Sequence, residues 1–165
     1  MRIKLAPDIY LPSVHDLDVE VLLKKNIRGI IIDIDNTLVS WETKLPDDRV
    51  IELIGRLKGH GFKLCILSNA TKKRVEDFNR ELKLPAIYKA IKPRRGNFRK
   101  AMENMGTDAS NTAVIGDQVF TDVLGGNRLG LFTILVAPIS EKEFAWTRLV
   151  RRVEKLVLRS MSKKG

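Results

Sequence analysis

The sequence lacks several features that mark other classes of protein. Its 165 residues include one cysteine, Cys65, so an intramolecular disulfide is impossible. The longest apolar runs, such as residues 29–32 and 133–137, have the length of a strand and are too short to cross a bilayer. The first residues carry no secretory signal. We therefore expect a cytoplasmic protein in which Cys65 is a buried, unreactive thiol.

Aromatic residues are also scarce, and acidic charge is in the minority. Aromatic side chains make up 6% of the chain, which leaves few for stacking on nucleic-acid bases. Lysine and arginine number 30 against 20 acidic residues, which gives a net charge of +10. This excess favours contact with an anionic membrane surface, a phosphorylated substrate or nucleic acid, and it also promotes solubility.

Segments with the apolar character of strands alternate with amphipathic segments typical of helices. Strands are predicted over residues 29–34, 62–67, 86–90, 113–115 and 132–136, and helices over residues 47–58, 71–82, 97–105, 121–129 and 140–159. The alternation predicts an α/β fold, a Rossmann-like doubly wound parallel sheet with helices on both faces. The single domain, residues 1–165, would begin with an extended arm (about 1–15) and end in a basic helix (about 140–160).

Polar clusters follow four of the predicted strands. In chain order they are residues 33–38, 68–69, 92–93 and 116–122. Because ligands bind at the carboxyl ends of parallel strands, we expect the clusters to meet at one edge of the sheet.

The residue types in these clusters suit the cleavage of a phosphate ester. Asp33 can attack phosphorus, and Asp35 can protonate the leaving oxygen and later deprotonate the water that hydrolyses the intermediate. Ser68 and Asn69 can donate hydrogen bonds to phosphate oxygens, and Lys92 supplies a positive charge.

The remaining carboxylates favour a metal ion. Asp117 together with Asp33 can hold Mg²⁺, a hard cation that prefers a few carboxylates plus water and substrate oxygens. Asp122 can orient a metal-bound water or the Lys92 ammonium. Carboxylates gathered beside apolar strands repel one another unless a cation neutralises them.

Together the clusters resemble the four motifs of the haloacid-dehalogenase (HAD) superfamily: Asp-x-Asp-x-Thr, a Ser or Thr, a Lys, and Gly-Asp-x-x-x-x-Asp. The resemblance implies that Asp33 is the nucleophile and Asp35 the acid/base. It implies that phosphate is bound by Thr37, Ser68, Asn69 and Lys92. It also implies Mg²⁺ ligands at Asp33, Asp35 (through the backbone carbonyl), Asp117 and Asp122.

Two longer strings carry a closer resemblance that covers nearly the whole chain. Residues 35–41 and 116–128 resemble the YqeG-type phosphatases of HAD subfamily IIIA. That group is similar to mitochondrial phosphatidylglycerophosphate phosphatases. The resemblance therefore implies an anionic phospholipid substrate and a role in phospholipid biosynthesis.

The spacing of the motifs leaves no room for a cap domain. Residues 40–60 allow a loop and one helix, and residues 70–91 allow a helix and a short strand. We therefore expect an uncapped, open site, which suits large substrates or substrates presented on a surface.

The final predicted helix has an apolar stripe with basic residues beside it. The stripe comprises Trp146, Leu149, Val150, Val153, Leu156 and Val157, and the basic residues are Arg148, Arg151, Arg152, Lys155 and Arg159. One hypothesis is that the stripe packs on the core and leaves a solvated basic face. The other is that the helix rests on an anionic membrane at the inner membrane face.

Other functions remain open from sequence. A nucleic-acid end phosphatase or a small-molecule phosphatase would use the same chemistry, and a phosphate-binding scaffold would use none. The intact set of Asp33, Asp35, Lys92 and Asp117 argues against the scaffold. The sequence leaves the oligomeric state open.

Overall fold

A six-stranded parallel sheet forms the centre of the molecule. This computed structural model describes residues 3–140 and 145–162, with the side chains of the last helix described from Arg151 onward. The strands are β1 (Ile9–Leu11), β2 (Gly29–Ile32), β3 (Lys63–Leu67), β4 (Ala86–Ile87), β5 (Thr112–Gly116) and β6 (Phe132–Val136). Their order in the sheet is β1-β6-β5-β2-β3-β4, and every pairing is parallel.

Helices connect these strands. They are α1 (Val19–Lys24), α2 (Asp48–Gly59), α3 (Lys72–Leu82), α4 (Arg95–Met105), α5 (Leu124–Asn127) and α6 (Ala145–Ser162). Short 3₁₀ turns occur at Val14–Asp16 and Ala109–Asn111. The predicted α/β fold with a doubly wound parallel sheet is confirmed. The predicted helices 47–58 and 71–82 begin at N-caps, where the side chains of Asp47 and Thr71 accept backbone N–H bonds.

Both faces of the sheet are covered by apolar side chains. On β2, Ile30 and Ile32 pack into one core layer with α2 and α3, whereas Ile31 packs into the other layer with Phe98 of α4. This alternation follows from the two-residue period of a strand, and it explains why β2 is apolar at every position. The buried layers fix the strand ends from which the polar clusters project.

The single cysteine lies in the second of these core layers. Cys65 is fully buried, and burial raises the pKa of its thiol to about 11. Because the thiolate is the reactive form, the prediction of an inert thiol is confirmed.

The extended N-terminal segment forms a strand of the sheet. Residues 9–11 of β1 pair in parallel with residues 134–136 of β6, and the backbone N–H of Ala137 donates to the carbonyl of Leu11. The helix α1 follows, begun by Asp18, whose side chain accepts from the backbone N–H of Glu20. Neither β1 nor α1 is among the elements predicted from the sequence, because both are short.

The predicted helix over residues 121–129 has a different form. The chain makes a wide π turn at Val119–Val123 before the short helix α5. A Cβ atom at Gly125 would lie 2.3 Å from Phe98, and one at Gly126 would lie 2.5 Å from Val114. The two glycines therefore let this segment approach α4 and the sheet more closely than any larger residue would allow.

The carboxyl edge of the sheet carries no inserted domain. Between β2 and α2 the chain forms loops and turns, and between β3 and β4 the only described helix is α3. The predicted absence of a cap over the site is confirmed for these two connections.

In its described part, the helix α6 contacts the domain through both polar and apolar side chains. Among the side chains described there, Glu154 is buried and Leu158 packs on Val119, Val123 and Leu135. By contrast, Val153 and Leu156 are 41% and 64% exposed, so the expectation that these two residues pack on the core is wrong. The side chains of Trp146, Arg148, Leu149 and Val150, and the residues 141–144, lie outside the described part of the chain. No described helix is long and apolar enough to span a membrane.

Candidate active site

Three carboxylates meet at the carboxyl edge of the sheet. Asp33 follows β2, Asp117 follows β5, and Asp122 lies in the π turn after β5. Each offers a carboxylate oxygen within 4.8 Å of the other two. The carboxyl ends of the parallel strands thus bring together three of the four predicted metal-ligating residues. We call these three, Asp33, Asp117 and Asp122, the acidic group.

A buried lysine lies against this group. Lys92 follows β4, its side chain is 2% exposed, and its Nζ lies 2.6 Å from Asp122 Oδ1 and 3.3 Å from Asp33 Oδ1. Burial acts to lower the pKa of the Lys92 ammonium, but the carboxylates of Asp122 and Asp33 outweigh it, so that the pKa is raised and the lysine stays charged. Asn69 Oδ1 accepts the Lys92 backbone N–H at 2.8 Å, which holds the lysine loop against β3.

Burial disfavours the charged form of two of the three aspartates. It raises the pKa of Asp33 well above its ordinary value, opposed by Lys92 and reinforced by Asp122 and Asp117. It raises the pKa of Asp117 to about 6, opposed chiefly by Arg151. Burial and the neighbouring carboxylates together therefore make full ionisation of the acidic group unfavourable without further positive charge.

Asp117 is held by two further elements. The Arg151 guanidinium on α6 donates to both the carbonyl oxygen and the carboxylate Oδ2 of Asp117. Thr37 Oγ1 donates to Asp117 Oδ1 at 3.1 Å. Glu154, one turn along α6, accepts the buried backbone N–H of Val119 at 2.7 Å and lies 3.6 Å from Arg151.

The second aspartate of the first motif lies apart from the acidic group. Asp35 is re-aimed by a turn in which Asn36 adopts a left-handed backbone conformation and its N–H donates to the Val39 carbonyl at 2.7 Å. The Asp35 side chain is 33% exposed and ion-paired with Arg74 of α3 at 2.9 Å. Its carboxylate is thus partly open to solvent and is held by the Arg74 guanidinium.

The remaining predicted phosphate-binding residues line the same edge. Ser68 is buried at the end of β3, and its Oγ accepts the Ala70 backbone N–H at 3.1 Å. Asn69 beside it is exposed, and Thr37 is buried against Asp117. All of the predicted residues are therefore near one strand edge, although the contacts described for Thr37 and Asn69 are with Asp117 and Lys92.

Sequence reasoning missed three residues of this site. Arg74 and Glu154 carry no motif, and Arg151 was predicted on a solvated basic face although its side chain is only 13% exposed. Each forms a hydrogen bond with a partner at least 34 residues away in the chain. Helical periodicity cannot reveal such partners, because it treats a charged residue as solvated.

The acidic group has the chemistry of a divalent-cation site. Carboxylate oxygens are the ligands that hard cations prefer, and a buried group with raised pKa values of Asp33 and Asp117 is relieved by added positive charge. Asp33, Asp117 and Asp122 could together hold one metal ion.

Comparisons with known proteins agree with this arrangement. Residues 90–141, which include Lys92, Asp117 and Asp122, match the HAD-hydrolase-like family. A Bacillus subtilis (strain 168) protein named "Probable phosphatase YqeG" is 42% identical over 159 residues, covering 96% of this chain and 92% of that protein. Phosphatidylglycerophosphate phosphatase 1 of Arabidopsis thaliana, chloroplastic/mitochondrial, is 27% identical over 96% of this chain, which spans 49% of that protein's length.

A solved structure shows the same fold. The HAD hydrolase YfnB of Bacillus subtilis, bound to magnesium, has a TM-score of 0.59 at 15% identity and covers 72% of this chain and 90% of its own. Because the 42% identity to the Bacillus protein extends over almost all of both chains, this protein belongs to the YqeG-type family of HAD phosphatases.

Proposed function

We propose that this phosphatase hydrolyses phosphomonoesters through an aspartyl-phosphate on Asp33, with Mg²⁺ as its metal ion. The observation that carries the proposal is the placement of the Asp33 carboxylate 3.3 Å from the buried Lys92 ammonium and within 4.8 Å of Asp117 and Asp122. A nucleophile of this kind needs positive charge around the phosphate that it attacks. Magnesium, bound in the YfnB structure, would supply charge stabilisation of the phosphate oxygens.

The reaction divides between Asp33 and Asp35. An Asp33 oxygen attacks phosphorus, the bond from phosphorus to the ester oxygen breaks, and Asp35 gives its proton to the departing alcohol. A water molecule then attacks phosphorus, Asp35 takes its proton, and the bond between Asp33 and phosphorus breaks to release inorganic phosphate. The partial exposure of Asp35 suits this role, because the alcohol must leave to solvent and the attacking water must come from it.

The other residues bind and orient the phosphate. Lys92 stays charged and contacts Asp33, so it would neutralise the equatorial phosphate oxygens during both steps. Ser68, Asn69 and Thr37 would donate hydrogen bonds to the same oxygens. Asp122 fixes the Lys92 ammonium at 2.6 Å, and Asp33, Asp117 and Asp122, with the Asp35 backbone carbonyl, are the proposed ligands for Mg²⁺.

We further propose that the substrate is phosphatidylglycerophosphate, which is converted to phosphatidylglycerol. The name of the Arabidopsis relative supports this substrate, as does that of a Chlamydomonas reinhardtii phosphatidylglycerophosphate phosphatase that is 26% identical over 90% of this chain. The two uncapped connections at the site support it too, because a lipid head group that stays in its membrane can reach an open site. The net charge of +10 favours an anionic surface.

The outer face of α6 is the proposed point of contact with such a membrane. Val153 and Leu156 are exposed there, and the exposed side chain of Arg159 lies about one turn beyond Leu156. Apolar residues flanked by basic ones on one helix face are typical of interfacial binding to anionic lipid. This contact would hold the protein at the inner membrane face.

Phosphate release from phosphatidylglycerophosphate in mixed micelles with Mg²⁺ tests the proposal. We expect a rate well above that with glucose 6-phosphate or with oligonucleotide 3′- and 5′-phosphates. In Asp33→Asn the rate should fall at least about a thousandfold, because the amide cannot form the covalent intermediate. The amide oxygen introduced by this substitution can still accept the Ile34 backbone N–H, so the variant should remain folded. An equal rate with the sugar phosphate would refute the lipid assignment, and an active Asp33→Asn would refute the mechanism.

A further inference from the structure

A groove extends outward from the acidic group between α6 and the end of β6. It has a volume of about 400 Å³, begins at Asp117, and has an apolar wall formed by Leu135, Val136, Pro138 and Leu158. Tyr10 of β1 lines its far side. The proposed reaction at Asp33 uses none of these side chains except that of Asp117.

The groove also has cationic lining residues. Arg151, Arg152 and Lys155 line it on α6. Arg151 forms ion pairs with both carboxylates of the lining, those of Asp117 and Glu154. Arg152 and Lys155 are exposed, and neither forms an ion pair with any residue in 3–140 or in the described side chains of α6. The groove therefore has positive charge to offer a ligand.

The cation that contacts the acidic group lies about one helical turn from the cations of the groove. Arg151, which contacts Asp117, and Lys155 are four residues apart on α6, so they are about 6 Å apart along the helix axis. A three-carbon glycerol unit between two phosphate groups spans a distance of this order. An anion held at Lys155 and Arg152 could thus belong to the same molecule as a phosphate held at Asp33.

We propose that this groove is a substrate subsite for a second, non-scissile anion, namely a phosphodiester joined through glycerol to the phosphomonoester that is cleaved. Arg152 and Lys155 bind the diester oxygens, and the apolar wall contacts the carbon chain beyond them. The inference rests on the proposed function, since it names the part of the substrate that the enzyme recognises apart from the reacting phosphate. A phosphomonoester without the second anion gains nothing from the groove.

The double variant Arg152→Gln, Lys155→Gln tests the subsite. The substrates are water-soluble deacylated phosphatidylglycerophosphate, which carries both phosphates and no acyl chains, and p-nitrophenyl phosphate. We expect the ratio of kcat/KM for the first substrate to that for the second to fall about tenfold or more, through loss of charge-assisted hydrogen bonds. The matched control is Lys58→Gln, Lys63→Gln, which removes the same charge from exposed positions at the opposite edge of the sheet. The control should leave the ratio unchanged.

Binding without turnover is measured separately with glycerophosphoglycerol, a diester that has no phosphomonoester. We expect it to inhibit hydrolysis of p-nitrophenyl phosphate, with an inhibition constant that rises about tenfold in the double variant and not in the control. If the wild-type enzyme shows no preference for the two-phosphate substrate while this inhibition holds, the substrate proposal fails and the anion subsite stands.

Two results would overturn the subsite. One is a preference for the two-phosphate substrate that the double variant retains in full, which would leave the proposed function intact. The other is an effect of the double variant on micellar phosphatidylglycerophosphate alone and not on the deacylated form. That pattern would assign Arg152 and Lys155 to the membrane surface and not to the head group.

Discussion

Two cations contact the acidic group, and they do so from different parts of the fold. Lys92 follows a strand of the sheet, is 2% exposed, and contacts both Asp33 and Asp122. Arg151 extends from the last helix, is 13% exposed, and contacts Asp117 and Glu154. The first cation belongs to the sheet edge that forms the site, whereas the second belongs to a helix that covers one side of it.

The two cations differ in how tightly they hold the carboxylates that they contact. Lys92 bonds closely to Asp122, at 2.6 Å, and lies 3.3 Å from Asp33, so the proposed nucleophile is held less tightly than Asp122. Arg151 bonds to the carboxylate of Asp117, a group that a metal ion in this site would also need. We therefore expect Lys92 to be indispensable to the site and Arg151 to compete with the metal ion.

The largest effect is expected from Lys92→Met. Removing the ammonium leaves two buried carboxylates without their cation, so the free energy of unfolding should fall by about 3–5 kcal/mol, and phosphatase activity should be lost. Urea unfolding in EDTA measures the first effect. The double variant Asp33→Asn, Lys92→Met should be more stable than Lys92→Met alone, because one of the two unpaired carboxylates is then gone. A loss below about 1 kcal/mol for Lys92→Met would show that the carboxylates take up protons at little cost.

A smaller effect is expected from Arg151→Gln, which should strengthen metal binding. Freed from the guanidinium, Asp117 should bind Mg²⁺ on the order of tenfold more tightly, as measured by titration calorimetry. In EDTA the same variant should be less stable by about 1–3 kcal/mol, because the buried Asp117 loses its ion pair. Unchanged or weaker Mg²⁺ binding would contradict the competition and would mean that guanidinium and metal ion occupy Asp117 together.

The pH dependence of metal binding sharpens the same comparison. The pKa of Asp117 is raised from 3.8 to about 6, so its carboxyl is protonated in the metal-free protein below pH 6. Because Mg²⁺ binds the deprotonated form, its apparent affinity should fall as the pH drops from about 7.5 to about 5. The stability of the metal-free protein, measured in EDTA, should depend on pH in the opposite direction. Because the pKa of Asp117 is raised in the folded state, its carboxyl contributes stability below about pH 4, and this contribution is lost as the pH rises through about 6. Thermal unfolding with and without Mg²⁺ at several pH values measures both effects.

The smallest effect is expected from Glu154→Gln. The amide oxygen can still accept the Val119 backbone N–H, and burial already raises the pKa of the Glu154 carboxyl. We expect less than about 1 kcal/mol of destabilisation, from the weakened pairing with Arg151. Glu154→Ala should cost about 1–3 kcal/mol, since it leaves the buried Val119 N–H without an acceptor. Equal effects of the two substitutions in urea unfolding would assign the role of Glu154 to its charge and not to its hydrogen bond.

The sequence was sufficient to locate Asp33, Lys92, Asp117 and Asp122. Asp33 and Asp117 directly follow the apolar strands β2 and β5, whereas Lys92 and Asp122 lie a few residues beyond β4 and β5; parallel strands bring such positions to one edge. The same reasoning identified the parallel sheet and the boundaries of β6 at residues 132–136.

What the sequence did not reveal depends on long-range polar contacts. Hydrophobicity identified the stripe on α6. It did not reveal that Arg151 donates to Asp117 or that Glu154 accepts the Val119 backbone N–H, and these two contacts turn both side chains toward the domain. Partners of this kind lie outside the range of any local pattern. Residues 121–129 are predicted as one helix, yet the chain forms a π turn at Val119–Val123, from which Asp122 contacts Lys92, before the short helix α5.

The close packing of α5 bears on how relatives of this protein can be recognised. Gly125 and Gly126 lie within the matched segment 90–141, and they are required by the near contact of α5 with Phe98 and Val114. These glycines in the matched segment therefore meet a packing requirement of α5 that is separate from the choice of substrate. Under the proposed subsite, substitutions along the walls of the α6 groove would be the better guide when relatives are sorted by specificity.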